Sequence, residues 1–288
     1  LIAERHSTSK ISSADDLFNI HSFGFRGEAL SSIAAVSEFT IKSCAKDTII
    51  GTKLSLSQGE RKIEDTACPK GTIVEVKSLF YNTPARKKYL KGIEHELREI
   101  ADITTRYALS YPEVSFRLIH DSKEMISSPA SANPLSGISN LYGNNVAKNL
   151  FKVDYTHDGI WIKGYVSRPS LTKPNRDTES LFINRRYIKN KLIGDAINEA
   201  YHTLLMVGRH PVAILNITIE PREIDVNVHP SKREIKLSHE EQVYDAVCNA
   251  VKKALSENEL IKEVEDQKTR QDVLISKQEI PKASGKKP

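Results

Sequence analysis

The stretch GFRGEALSSIAAVSEFTI, Gly24 to Ile41, sets two glycines three residues apart around an arginine and runs into a helical pattern, with Leu30, Ile33 and Ala34 as its apolar stripe. A helix start presents unpaired N–H groups and a positive partial charge, so a glycine-rich approach to it can hold a phosphate chain through the backbone. Glycine permits both the close approach and a positive φ. Arg26 can neutralise an anion or pair with Glu28. The same residues also suit an ordinary loop ahead of a helix, and a bare G-x-x-G does not separate the two readings. Other stretches qualify by residue type: STSK at residues 7–10, Gly71–Thr72 ahead of IVEVKSLF, FINRRYIKNK (Phe182–Lys191) with four cations and no acid, and DVNVHPSKREI with Lys232.

These residues need elements to position them. TIVEVKSLF (Thr72–Phe80) alternates apolar and polar residues at its start and is expected as a half-buried strand. In YNTPARKKYL, Thr83 is placed to cap a helix whose first position is Pro84, where a missing N–H does no harm. The run Arg86, Lys87, Lys88 and Lys91 is expected as a solvated face. A helical run continues through HELREIADITTRYALSYP, and VSFRLIH reads as a strand. SSPASANPLSG (Ser127–Gly137) then reads as an interdomain boundary.

Beyond that boundary come a helix near Leu135–Leu141, strands GIWIKGYVS and ESLFINRRYI, helix KLIGDAINEAYHTLL, strand VAILNITIE and helix HEEQVYDAVCNAVKKAL. Ala213, Leu215, Ile217 and Ile219 share one face with Asn216, Thr218 and Glu220 opposite, the pattern of a sheet packed on one side. Ile224, Val226 and Val228 alternate with Asp225, Asn227 and His229 in a half-buried strand that Pro230 ends, so Lys232 falls on a turn. A lysine on a turn is ordinarily just solvated.

At 288 residues the chain suits two domains and a tail. With 39% hydrophobic and 27% charged residues it has the composition of a soluble globular protein. No run approaches the roughly 18 apolar residues of a membrane span, and no signal peptide is evident. Cys44, Cys68 and Cys248 lie far apart with no C-x-x-C pair, which argues against a zinc site or a disulfide framework. A cytosolic protein is the simplest expectation. Net charge is +5, and the tail from Ser256 holds seven positive and seven negative residues, so the excess lies in residues 1–255. A mildly basic body is compatible with nucleic acid. The tail has few aromatics and weak periodicity and is expected to be a flexible linker.

Taken together, RHSTSKI, GFRGEALSSI, GTIVEVKSLFYNTPARKKYL and DVNVHPSKREI closely resemble the MutL family of DNA mismatch repair ATPases, in family order from residue 1 to about 255. The resemblance implies an α+β chain. Residues 1–127 would belong to a GHKL-type ATPase domain, incomplete here and similar in its nucleotide fold to DNA gyrase B and sensor histidine kinases. Residues 128–255 would form a ribosomal protein S5 domain 2-like α/β transducer domain, and 256–288 the linker. GFRGEAL would be the ATP lid, with Gly24, Arg26, Gly27, Glu28, Ala29 and Leu30 at the phosphates and Thr8, Ser9 and Lys10 as its first part.

By the same resemblance, Thr72 after Gly71 would support adenine binding. Gly51–Thr52 competes for that role but is not followed by LFYNTPAR. Lys232 would reach from the second domain to the γ-phosphate, its flexible ammonium offsetting charge on the transferred phosphoryl group. Only a ligand with a γ-phosphate offers that contact, which would couple nucleotide state to domain geometry; His229 would be structural. Arg186, Lys189 and Lys191 would contact DNA, with affinity falling steeply as salt rises.

Two family strings are absent from the 288 residues: the E-N-S-L-D-A-like motif that supplies the general base and Mg²⁺ ligand, and the D-x-G-x-G-like motif that binds adenine. Both are expected upstream of Leu1. The chain as given is then expected to hydrolyse ATP negligibly, and the full-length protein slowly. Expected partners are DNA, a MutS-like mismatch recognition protein and a second copy or paralogue, with no membrane. The setting would be the cytoplasm and nucleoid of a prokaryote, or a eukaryotic nucleus. Another GHKL machine, such as a topoisomerase subunit or chaperone, is disfavoured by GFRGEAL joined to NVHPSK. A non-enzymatic DNA-binding module would show DNA binding without nucleotide response.

Overall fold

The structure is a computed structural model and describes residues 7–8, 24, 27–225 and 235–258. Contacts divide the chain into two compact units, Leu1–Ile100 and Ala101–Pro288. That division falls inside the segment expected as the first domain. At the start of the Ser- and Pro-rich stretch, Ser128 is buried and ends a strand.

In the first unit, helix α1 (Ala29–Ala34) precedes strands β1 (Glu38–Cys44), β2 (Gly51–Ser57), β3 (Glu60–Thr66) and β4 (Gly71–Lys77), which form an antiparallel sheet in the order β3-β2-β1-β4. Its buried side chains come from β1, where Phe39, Ile41 and Cys44 point inward at alternate positions over most of the strand. The half-buried expectation for TIVEVKSLF does not hold. The strand forms, but Ile73, Val74 and Val76 are all exposed, because no described element covers β4 as α1 does β1. Helix α2 (Pro84–Lys87) has Pro84 in its first turn as expected, but it is a single turn and Thr83 does not cap it. The Thr83 hydroxyl is buried without a hydrogen-bond partner. Helix α3 (Ile93–Ser110) follows, its latter half belonging to the second unit.

The second unit continues with the hairpin β5 (Phe116–His120) and β6 (Lys123–Ser128), then helices α4 (Pro134–Tyr142) and α5 (Asn144–Lys148). Strands β7 (Leu150–His157), β8 (Ile160–Ser167), β9 (Thr172–Lys173), β10 (Glu179–Ile183) and β11 (Arg186–Ile188) lead to helix α6 (Lys191–Ala200), and after it β12 (His210–Pro211), β13 (Ala213–Thr218), β14 (Ile224–Asp225), β15 (Lys236–Leu237) and helix α7 over residues 240–258. The main sheet runs β11-β10-β13-β8-β7, with β10 and β13 parallel.

Its inner face follows the sequence pattern: Leu215 and Ile217 pack with Ile162, Val153, Ile193, Ile197, Val247 and Val251 in one continuous core. Each fully buried aliphatic side chain there contributes roughly 1.5–3 kcal/mol. The expectation of a sheet packed on one side needs correction. On the opposite face Ile214 and Phe182 form a second core with Ile138 of α4, Val146 of α5, Tyr187 and Val212. All five residues of β10 are consequently buried.

Two buried polar groups organise this unit. Arg106, whose side chain is 5% exposed, pairs with Asp102 and donates to Tyr142 Oη, Ser180 Oγ and the Asp177 carbonyl, with its guanidinium over the Tyr187 ring. Burial works against the charge, yet Tyr142, Tyr187 and Asp102 outweigh it and leave the group above its ordinary value. Glu179 is the opposite case: its side chain is 4% exposed and Oε1 accepts no hydrogen bond. Burial pushes its carboxyl up to about 7, and Arg176 and Asn198 pull it back only in part. His210 Nδ1 lies 3.8 Å from Glu179 Oε1, but burial and Arg176 lower the imidazole, so the contact is not an ion pair.

An acid raised from 4.5 to about 7 binds more protons when folded. Its contribution to stability is therefore fully present below pH 4.5 and is lost as pH rises through about 7. Glu179→Gln is expected to abolish this decline and to exceed the wild type at pH 8 by on the order of 2–3 kcal/mol in denaturant unfolding; parallel pH profiles for the two proteins would refute it.

Candidate nucleotide lid and cationic hairpin

Two distant stretches of sequence meet in the first unit. Gly27 adopts φ +64°, and a Cβ built there would overlap the backbone of Ser7, including its carbonyl oxygen. Only glycine allows this approach, so Gly27 and Ser7, the last residue of GFRG and the first of STSK, lie backbone to backbone. Gly24 is exposed, Thr8, Gly27, Glu28 and Leu30 are partly exposed, and Ala29 is exposed at the first position of α1. The Glu28 side chain does not cap α1, and the N–H groups of the helix's first turn have no intrahelical acceptor. Ser9, Lys10 and Arg26 lie outside the described residues.

The far end of α1 is buttressed by the LFYNT turn. Phe80 N–H donates to the Val36 carbonyl at 2.7 Å and Asn82 Nδ2 to the Ala35 carbonyl at 2.9 Å. The described end of GFRGEAL, from Gly27, and the LFYNT turn thus lie at opposite ends of one short helix. Thr72 heads β4, its hydroxyl 3.0 Å from Ser43 Oγ. Its competitor Thr52 lies directly across Ser43 on the other side, so both G-T pairs flank one residue of β1. Gly51 has a packing reason of its own: a Cβ there would come within 2.5 Å of Cys68 Sγ and 2.8 Å of the Ser43 carbonyl. The Arg86, Lys87, Lys88 and Lys91 side chains are exposed, as a solvated face should be.

In the second unit, FINRRYIKNK folds as the end of β10, a two-residue turn, β11 and the cap of α6. Asn184 and Arg185 both have positive φ, +48° and +67°, the turn that matches strand twist. The Asn184 side chain clamps Ile219, donating to its carbonyl and accepting from its N–H, and Arg185 N–H donates to Asn216 Oδ1. Asn190 caps α6 by accepting from Ile193 N–H at 3.1 Å.

The cations in this segment divide into two kinds. Arg185 donates through Nη2 to the Ser110 carbonyl at 2.9 Å, pairs with Glu113 and lies 4.0 Å over the Tyr111 ring. Its main role is to staple the end of α3 to the hairpin; the Glu113 backbone N–H and Arg185 hold the Glu113 carboxyl below its usual range. Arg186 is half-buried, its guanidinium lowered by burial while Tyr107 and Tyr111 act the other way. Lys189 and Lys191 are exposed. Lys232 and His229 lie outside the described residues; the strands on either side pair, Ile224 with Leu237 and Asp225 with Lys236. Sequence reading missed Arg106 and Glu179; the Asp102–Arg106 spacing of four was the available signal for the first.

The fold is that of known ATPase-domain structures. The crystal structure of the N-terminal domain of a DNA repair protein superposes with a TM-score of 0.72 at 25% identity, over 90% of this chain and 81% of that one. The Aquifex aeolicus MutL ATPase domain complexed with ADP gives 0.56 at 23% identity, over 82% and 80%. The family described as DNA mismatch repair protein, C-terminal domain, matches residues 138–256. DNA mismatch repair protein MutL of Streptococcus agalactiae is 44% identical over 262 residues, covering 91% of this chain and 40% of that protein. Its Streptococcus mutans counterpart is 42% identical over 258 residues, covering 89% and 40%. The chain belongs to the MutL family of DNA mismatch repair proteins, and it spans about 40% of the length of these curated relatives.

The two kinds of cation should respond differently to mutation. Arg185→Ala is expected to lower unfolding free energy by about 1–2 kcal/mol, having lost a carbonyl bond, a partly exposed ion pair and a ring contact. Lys189→Ala and Lys191→Ala should stay within about 0.5 kcal/mol of wild type. Equal effects at all three positions in chemical denaturation would remove the distinction.

Proposed function

We propose that the protein of which this chain is part acts in DNA mismatch repair as an ATP-dependent matchmaker. It would bind DNA, hydrolyse ATP slowly and couple a MutS-like recognition protein to later repair steps. The supporting observation is the backbone contact between Gly27 and Ser7, which brings parts of both candidate lid sequences together at the start of α1, where Glu28 provides no side-chain cap. Such a start supplies N–H donors and positive partial charge to a triphosphate.

In this reading Gly24, Arg26, Gly27, Glu28, Ala29 and Leu30, with Thr8, Ser9 and Lys10, close over the phosphates, and Thr72 supports the adenine side. Lys232 contributes its ammonium to the γ-phosphate and so links nucleotide state to the second domain. Residues 1–127 belong to the ATPase domain, 128–255 to the transducer and 256–288 to the linker. Lys189 and Lys191, with Arg186 at their inner edge, meet DNA phosphates. ATP would draw two copies, or paralogues, together in the cytoplasm. Among the described residues no helix is long and apolar enough to cross a membrane.

Magnesium is not held by what the structure describes: among the described residues no group of three or more His, Cys, Asp or Glu side chains could take a metal ion. Because the sequence lacks the E-N-S-L-D-A-like string that supplies the general base and Mg²⁺ ligand in this family, these 288 residues alone should turn ATP over negligibly.

Two measurements on the whole protein test the reading. Lys232→Ala should cut ATP turnover about tenfold or more, a loss of roughly 1.4 kcal/mol of transition-state stabilisation, and Gly27→Ala should weaken nucleotide binding by a similar factor; unchanged values would end the lid and lysine roles. The double change Lys189→Glu with Lys191→Glu should weaken DNA binding and reduce its salt slope by about 2. An unaltered slope would place DNA elsewhere.

A further inference from the structure

The outer face of the main sheet holds a groove of about 370 Å³ that contains no residue assigned above to nucleotide or DNA. Its floor is apolar, formed by Ile138, Tyr165, Phe182 and Ile214. The volume lies near the lower end of the roughly 300–1,000 Å³ of small-molecule sites, which suits a compact body and not a polymer.

Two donors stand together on this face. Lys163 of β8 and Asn216 of β13 are directly opposed in register, which puts their side chains side by side. Asn216 Oδ1 accepts the Arg185 backbone N–H at 3.0 Å, which fixes the amide and leaves its NH₂ group without a partner among the described residues. The other cations lining the groove are matched, Arg185 by Glu113 and Lys152 by Asp154 at 3.9 Å. Lys163 has no ion-pair partner among the described residues. Two carboxylates line the groove: Glu113, which is engaged by Arg185, and Asp154, the cross-strand neighbour of Lys163 on β7.

We propose that this groove binds a small apolar carboxylic acid, whose carboxylate is taken by Lys163 and Asn216 while an aryl or branched alkyl body lies on Tyr165, Phe182 and Ile214. An ammonium and an amide donor side by side at the rim give the charge-assisted bonds that a single carboxylate requires. The inference stands apart from the nucleotide and DNA reading, and neither depends on the other.

Trp161 supplies the readout. It is the single tryptophan of the chain, 45% exposed, two residues from Lys163 on the same face of β8. Titrating the 288-residue chain with 3-phenylpropionate should give a saturable change in Trp161 fluorescence, and the neutral 3-phenylpropanamide should give none. Lys163→Glu should weaken binding about tenfold or more, and Asp154→Asn should tighten it about threefold by removing the competing carboxylate. The second variant decides the matter if the first does not fold, since misfolding cannot raise affinity. No saturable signal in the wild type, an equal response to the amide, or unaltered affinity in Asp154→Asn overturns the proposal.

Discussion

One buried charge sets the arrangement of the second unit. The Arg106 guanidinium reaches α3 through Asp102, α4 through Tyr142, β10 through Ser180, the approach to β10 through Asp177 and β11 through the Tyr187 ring. A desolvated cation is tolerated only when its donors are matched, and losing one partner of such a set usually costs far more than the set contributes in sum. These elements therefore cannot shift independently. β10, buried on both faces, is the strand from which the cationic hairpin springs, so the direction of that hairpin follows from where Arg106 is satisfied.

The turns complete that placement. Four connections of two residues, Gln58–Gly59, Asp121–Ser122, Asp158–Gly159 and Asn184–Arg185, have positive φ at both positions. Three of them use glycine, aspartate or serine in ways common to tight hairpins. The fourth puts an arginine where glycine is usual, and its backbone strain is balanced by the bonds Arg185 makes to the end of α3. A side chain that reads as one more cation in sequence is the device that holds its exposed neighbours, Lys189 and Lys191, where they stand.

What could be read in the sequence follows from which signals are local. Mixed α/β architecture, the inner face of β13, Pro84 at the start of α2 and helices α4, α6 and α7 were legible because each rests on a short-range period or a cap. Strands β1 to β3 were not: ERKIEDT has a single aliphatic residue, Ile63, and it is exposed. The second core beneath Ile214 was hidden because α4 and α5 come from far upstream in the chain. Of the candidate lid, the helix start and the need for glycine at position 27 were legible. Their contact with Ser7 was not, since nothing local encodes a meeting between residues twenty apart. Glu179 escaped notice for the same reason, its neighbours Arg176, Asn198 and His210 being gathered from three segments.

The crowding at Gly51 has a chemical corollary. Cys44 and Cys248 are buried, and Cys68 alone of the three thiols is partly accessible. Its sulfur sits against the backbone of β2, beside the row in which Thr52, Ser43 and Thr72 run across three strands. Alkylation or oxidation of that thiol adds bulk where not even a methyl group fits. The adduct would act as a wedge under the strand, turning a silent cysteine into a handle for prising apart the edge of the sheet that carries the threonine row.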